Sequence, residues 1–131
     1  MIFVDSNIPM YLVGQPHPLK ERARVLLEQA VAQGASLVTS AEVLQEIVHR
    51  YQAIRRVDAM RAALEVLTGL VSEVHPVERR DVLRAVGVLE GVPALSARNA
   101  LHVAVMERHG VRDILSFDAG FDLVSQIRRV R

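Results

Sequence analysis

Five oxygen-bearing side chains spread along the sequence have the chemistry of hard-cation ligands: Asp5 in FVDSN, Glu46 in VTSAEVLQEI, Asn99 in LSARNALH, and Asp118 with Asp122 in SFDAGFD. Carboxylates about 5 Å apart repel by roughly 3 kcal/mol per pair at an effective dielectric of about 20, so a cluster of them calls for a neutralising cation. Oxygen ligands with retained waters suit Mg²⁺, with Mn²⁺ as the alternative. Such an ion polarises a phosphodiester, lowers the pKa of a bound water and stabilises charge on a leaving oxygen.

Taken singly, each residue has a plainer reading. Asp5 and Asp118 follow apolar runs and read equally well as turn or cap residues, and Asp122 as a solvated turn charge. On a helical wheel Glu46 lies away from the stripe of Leu44, Ile47, Val48 and Tyr51, which predicts an ordinary solvent face. Asn99 belongs to a segment that is apolar almost all round, from Ala100 to Met106, which implies burial. With His102 and Met106 it forms a narrow stripe at helical spacing that can face a crevice. His102 reads first as a buried imidazole satisfied by neighbours and second as a ligand. Arg98 reads as a partner for phosphate or a nearby acid.

As an ordered set these segments are more specific. Their order, spacing and flanking residues resemble the PIN-domain nucleases, and among those the VapC-type toxins of type II toxin–antitoxin (VapBC) pairs, over nearly the whole chain. The resemblance implies one α/β PIN domain over residues 1–131, with a mostly parallel central β-sheet flanked by helices. It implies an Mg²⁺-dependent endoribonuclease that hydrolyses RNA through an activated water, leaving a 5′-phosphate and a 3′-hydroxyl. Carried over by motif, Asp5, Glu46, Asn99 and Asp118 are the catalytic set and Asp5, Asn99, Asp118 and Asp122 the metal set, with Glu46 chosen over Glu42. Arg98, Arg55 and Arg56 are the expected RNA contacts. The expected partners are RNA, a VapB-like antitoxin whose C-terminal segment covers the acidic cleft, and a second copy in a homodimer.

One position departs from the pattern. Aspartate is expected where Asn99 stands, although Ala97, Arg98, Ala100, Leu101 and His102 all fit. The amide keeps the shape and one acceptor oxygen but loses the charge, so cation affinity and activity should fall while repulsion in the empty site is relieved. Two other readings stay open: an inactive module docking RNA or antitoxin through Arg55, Arg56 and Arg98, and a different metal-dependent phosphotransfer enzyme on a similar frame.

The elements that must position these residues are legible in outline. Ile2–Val4 predicts a short strand delivering Asp5 to its carboxyl end, and Pro16 and Pro18 punctuate the loop that follows. Ala23, Leu26, Leu27, Ala30 and Val31 mark a helix ending near Gly34, and Leu37–Val38 a second strand. Ser40 is placed to cap the helix carrying Glu46. Helical period returns at Met60–Leu70 and at Val82, Ala85, Val86 and Leu89, on either side of a strand near Val74. Gly91 and Pro93 stop the latter helix, and Ser96 caps one running to about His109. Strands at Ile114–Phe117 and Ile127–Val130 complete the pattern. Strands alternating with helices argue for an α/β domain.

Composition sets bounds only. With 131 residues and 50% hydrophobic content the chain suits one well-buried core, and a formal charge of +1 excludes a strongly basic nucleic-acid sponge while allowing a local basic groove. There is no cysteine, so no disulfide framework or thiolate metal site is available. No apolar stretch has membrane-spanning length and the first residues lack a secretory pattern, so a cytoplasmic protein without membrane contact is expected.

Overall fold

The computed structural model describes residues 1–131. In chain order the elements are β1 (Ile2–Val4), α1 (Asn7–Val13), α2 (Pro18–Ala32), β2 (Leu37–Ser40), α3 (Ala41–Ala53), α4 (Val57–Leu70), β3 (Glu73–His75), α5 (Arg79–Gly91), α6 (Ala97–Arg108), β4 (Asp113–Leu115), a 3₁₀ turn (Ala119–Leu123) and β5 (Arg128–Arg129). The strands form one sheet in the order β3-β2-β1-β4-β5, and every pairing is parallel. The sheet therefore grows from β1 toward β3 on one side and resumes beside β1 with β4 on the other. This places the topological switch point between β1 and β4, the place where open parallel sheets bind ligands beyond their carboxyl ends.

Local signals account for the element ends. His17 accepts a hydrogen bond from the Leu19 backbone N–H at the start of α2, with Pro18 in the first turn. Ser96 caps α6 by accepting from the Asn99 backbone N–H at 3.1 Å. Gly34 and Gly110 follow α2 and α6 with φ of 76° and 69°, a left-handed conformation that glycine adopts without steric cost. Thr39 donates its hydroxyl to the Val4 carbonyl at 2.8 Å and ties β2 to β1. Phe3, Val4, Ile47, Leu67, Met106, Ile114, Leu115 and Phe121 fill the core. Around the sheet, α1 packs on α2 and α4, α3 on α4, and α5 on α6.

Three expectations need correction. The stretch before Pro16 is not all loop: α1 occupies Asn7–Val13 and buries Ile8 and Pro9. Pro9 is tolerated there because a first-turn residue has no intrahelical N–H bond to lose. On α3 the buried residues are Val43, Glu46, Ile47 and Tyr51, with Leu44 and Val48 only half-buried, so the inward face is rotated and brings Glu46 in. On α5 the buried residues are Asp81, Ala85 and Val88, whereas Val82 and Val86 are more than half exposed. Asp81 turns inward because Arg108 of α6 meets it with two hydrogen bonds, of 2.7 and 2.8 Å.

Candidate functional site

Asp5 stands one residue beyond β1, its backbone N–H still bonded to the Leu115 carbonyl of β4. The residue is 3% exposed, and its carboxylate accepts from the Ser6 backbone N–H at 2.7 Å and from the Ser116 hydroxyl at 2.6 Å. Asn7 reinforces the seam. Its amide nitrogen donates to Asp5 and Ser116, and its oxygen accepts from the Phe117 backbone N–H at 3.2 Å. The motif residues after β1 and β4 are thus stitched together across the switch point.

Glu46 reaches the same place from α3. Its Oε1 is 2.5 Å from His102 Nε2, and its Oε2 accepts from the Ser6 hydroxyl at 2.7 Å. A carboxylate partner assigns the proton to His102 Nε2, and Nδ1 of the same ring is buried without a partner. His102 Nε2 is also 3.9 Å from Asp5. Asp5, Glu46 and His102 each offer an atom within 4.8 Å of the others, all three residues are buried, and the group could hold a metal ion.

Electrostatics divides the pair of acids. Burial pushes the Asp5 carboxyl above its ordinary value, with Glu46 adding to the rise and His102 and Ser116 opposing it. Burial acts in the same sense on Glu46, yet the hydrogen bond and charge of His102, with Ser6 and Arg98, outweigh it and hold the carboxyl below its ordinary value. Burial disfavours the His102 imidazolium, but Glu46 and Asp5 together lift its pKa. The result is a buried, hydrogen-bonded histidine–carboxylate pair beside a second carboxyl whose ionisation is opposed by burial.

Asn99 lies one helical turn before His102 on α6 and is 8% exposed. Its amide nitrogen donates to Asp118 Oδ2 at 2.8 Å. The other Asp118 oxygen accepts from the Gly120 backbone N–H at 2.8 Å, and the Asp118 backbone N–H donates to the Ser116 hydroxyl at 3.0 Å. Gly120 fits closely here, because a Cβ would come within 3.0 Å of Asp118 Oδ1 and 3.6 Å of the Asn99 amide nitrogen. Ser116 therefore links Asp5 to the Asp118 loop. The structure brings Asp5, Glu46, Asn99 and Asp118 into one connected polar network.

Asp122 is engaged elsewhere. Its carboxylate accepts from Arg129 and Arg131, which lower its pKa and tie the 3₁₀ turn to the C-terminal strand. Arg98 extends along the cleft with Nε 3.7 Å from Glu46. Arg55 and Arg56 lie in the turn between α3 and α4, where Arg56 pairs with Asp58 and Arg55 adopts φ of 56°. Sequence reasoning missed Ser6, Asn7 and Ser116, although each lies within two residues of a motif aspartate. It also missed Arg50, one turn beyond Glu46 on α3 and open to the same cleft.

Comparison with known proteins bears on the family and the fold. The PIN domain family matches residues 2–126. Ribonuclease VapC13 of Mycobacterium tuberculosis is 54% identical over 130 residues, covering 99% of both chains. The crystal structure of M. tuberculosis VapC20, described as a sarcin–ricin loop cleaving toxin, superposes with a TM-score of 0.81 at 23% identity, covering 100% of this chain and 99% of that one. VapBC2 from Rickettsia felis, solved on a DNA fragment from its promoter, gives 0.75 at 13% identity over 99% of this chain and 98% of that one. By sequence and fold, the chain belongs to the PIN-domain family, among its VapC-type members.

Proposed function

We propose that the chain, working as one PIN unit over residues 1–131, is a metal-dependent endoribonuclease toxin of a VapBC pair, with Mg²⁺ or Mn²⁺ as its cation. The observation that carries this reading is the convergence of Asp5, Glu46, Asn99 and Asp118 from four separate elements onto the carboxyl ends of β1 and β4. The donor set is oxygen-rich, as a hard divalent ion requires: a buried carboxylate on Asp5 and a solvent-exposed one on Asp118, beside the buried Asn99 amide. Asp5, Asn99 through its amide oxygen, and Asp118 would hold it. When bound, the cation supplies Lewis-acid polarisation of the phosphodiester and charge stabilisation at the departing oxygen.

The side chains supply orientation. Glu46, ionised and braced on both oxygens by His102 and Ser6, is placed to align a water for attack on phosphorus. The water oxygen bonds to phosphorus and gives up a proton to solvent, the bond from phosphorus to the 3′-oxygen breaks, and that oxygen takes a proton from solvent to leave as the hydroxyl. Arg98 steadies the phosphate. We read Asp122 as a brace of the C-terminal turn in place of a ligand, since two arginines already occupy its carboxylate.

Asn99 tempers the activity. Its N–H on Asp118 fills a place where a second carboxylate would bind a cation more strongly, so the chain as written works below the rate of its aspartate form. The partners that complete the reading are an antitoxin with a basic side chain entering the cleft, and a second copy. The second copy would cover the exposed apolar face of α5, where Val82, Leu83 and Val86 are each more than half exposed. No helix is long and apolar enough to cross a membrane; the action proposed is on RNA in the cytoplasm.

RNA cleavage in Mg²⁺ and in EDTA, with analysis of the ends, tests the proposal. Cutting should stop in EDTA, and Asn99→Asp should raise the rate at limiting Mg²⁺ by about tenfold; EDTA-resistant cutting would refute it. A second reading, a binding module without catalysis, is favoured by the Asn99 amide, which donates a hydrogen bond to Asp118 where a carboxylate could not. RNA binding without cleavage, even in Asn99→Asp, would select it.

A further inference from the structure

Next to the acidic network, α1, the α1–α2 turn and the C-terminal half of α3 enclose a pocket of about 530 Å³. This volume falls within the range of small-molecule sites, roughly 300–1,000 Å³. Glu46 and Arg98 belong to both the network and this pocket, so the two are continuous. The far wall is aromatic. Tyr11 is half-buried and set edge-on against Phe117 with ring centroids 5.5 Å apart, and His17 lies tilted on it at 5.0 Å. The His17 ring is held there because Nδ1 accepts the Leu19 backbone N–H. Tyr51 closes the pocket from α3, and two exposed arginines, Arg50 and Arg98, also line it.

We infer that this pocket is a subsite for one unpaired nucleotide of the RNA flanking the scissile bond, its base against the Tyr11–His17 wall and its phosphate between Arg50 and Arg98. This inference rests on the ribonuclease reading. Flat aromatic faces beside a cationic rim are how single-stranded nucleic acid is held, because every base has a π-face and every nucleotide an anionic phosphate. A paired base cannot enter, since its faces are occupied by stacking within the helix, so the pocket selects loops and single strands. The lining also favours an anion over a basic peptide: it carries Arg50 and Arg98 against the single carboxylate of Glu46.

The test is binding of a fluorescent single-stranded RNA to the full chain in EDTA, which removes catalysis, alongside cleavage of the same RNA in Mn²⁺. Tyr11→Ala should weaken binding about tenfold, Arg50→Gln by a similar factor, and Tyr11→Phe hardly at all. An abasic nucleotide at the flanking position should weaken the parent by about the same factor and leave Tyr11→Ala unchanged. His17→Ala, on an exposed side chain, serves as the second variant if Tyr11→Ala fails to fold, and should also lose discrimination against the abasic RNA. Normal cleavage with no response to these changes overturns the subsite alone and leaves the pocket to a protein partner. Pocket-dependent binding without any cleavage, in Asn99→Asp as well, overturns the ribonuclease reading and leaves the pocket as a binding site for single-stranded RNA with no scissile bond beside it. Absence of RNA binding overturns both.

Discussion

Asn99 is where the electrostatics of the cleft can be adjusted by one atom. Its amide donates to Asp118 Oδ2 at 2.8 Å, so Asn99→Asp would set two carboxylates at contact distance and destabilise the cation-free protein by roughly 1–3 kcal/mol. Melting in EDTA should show the loss and added Mn²⁺ should reverse it; a variant as stable as the parent in EDTA would contradict the repulsion. Gly120 offers a second handle, because a Cβ there meets Asp118 Oδ1 at 3.0 Å and must displace that side chain. Gly120→Ala should reduce cleavage about tenfold or more while changing the melting temperature little. A fully active variant would remove Asp118 from the site. What the sequence made legible at this scale was the identity of the motif residues. It could not show their braces, since the Ser116 bond to Asp5 spans 111 positions and leaves no periodic trace.

Elements were legible wherever one side faces the core and the other faces water. For α2 the stripe through Ala23, Leu26, Leu27 and Ala30 is buried as the period demands. The rule misplaced the inward faces of α3 and α5 for a common reason: each turns a charged residue inward because a partner on α6 receives it. His102 takes Glu46, and Arg108 takes Asp81. Asp81 is also the third residue of α5, whose side chain closes the capping box begun by Glu78. Arg108 is the main cause of its lowered pKa, so the stability it contributes is present above the ordinary carboxylate value and is lost as pH falls through the folded-state value. Asp81→Asn should cost about 2–3 kcal/mol in urea unfolding near neutral pH, and the gap from the parent should narrow in acid. A constant gap would mean that the charge contributes nothing.

For the whole molecule, the parallel sheet and its switch point follow from the alternation of strands and helices, but the strand order was not legible, because pairing partners lie far apart in the chain. The same non-local placement creates a stacked histidine pair: His75 of β3 and His109 beyond α6 have ring centroids 3.5 Å apart at 11°. Both Nε2 atoms are buried without partners. Burial, then the neighbouring His75 and Arg108, lowers the pKa of His109. The unfolded chain therefore takes up this proton first, so stability is full above the ordinary histidine value and is lost as pH falls from there toward the folded-state value. Between about pH 7.5 and about pH 5.5 the urea midpoint should fall less in His109→Phe, which keeps the stacked ring, than in the parent. An equal fall in both would assign the sensitivity elsewhere.

The central claim is that oxygen donors from distant segments form one divalent-cation site whose strength is set by charge at position 99. Calorimetric titration of Mn²⁺ into the parent chain, Asn99→Asp and Asp5→Asn tests it most directly. The account predicts saturable binding to the parent, at least about tenfold tighter binding in Asn99→Asp, and loss of binding in Asp5→Asn. Indistinguishable affinities in the three proteins would contradict it.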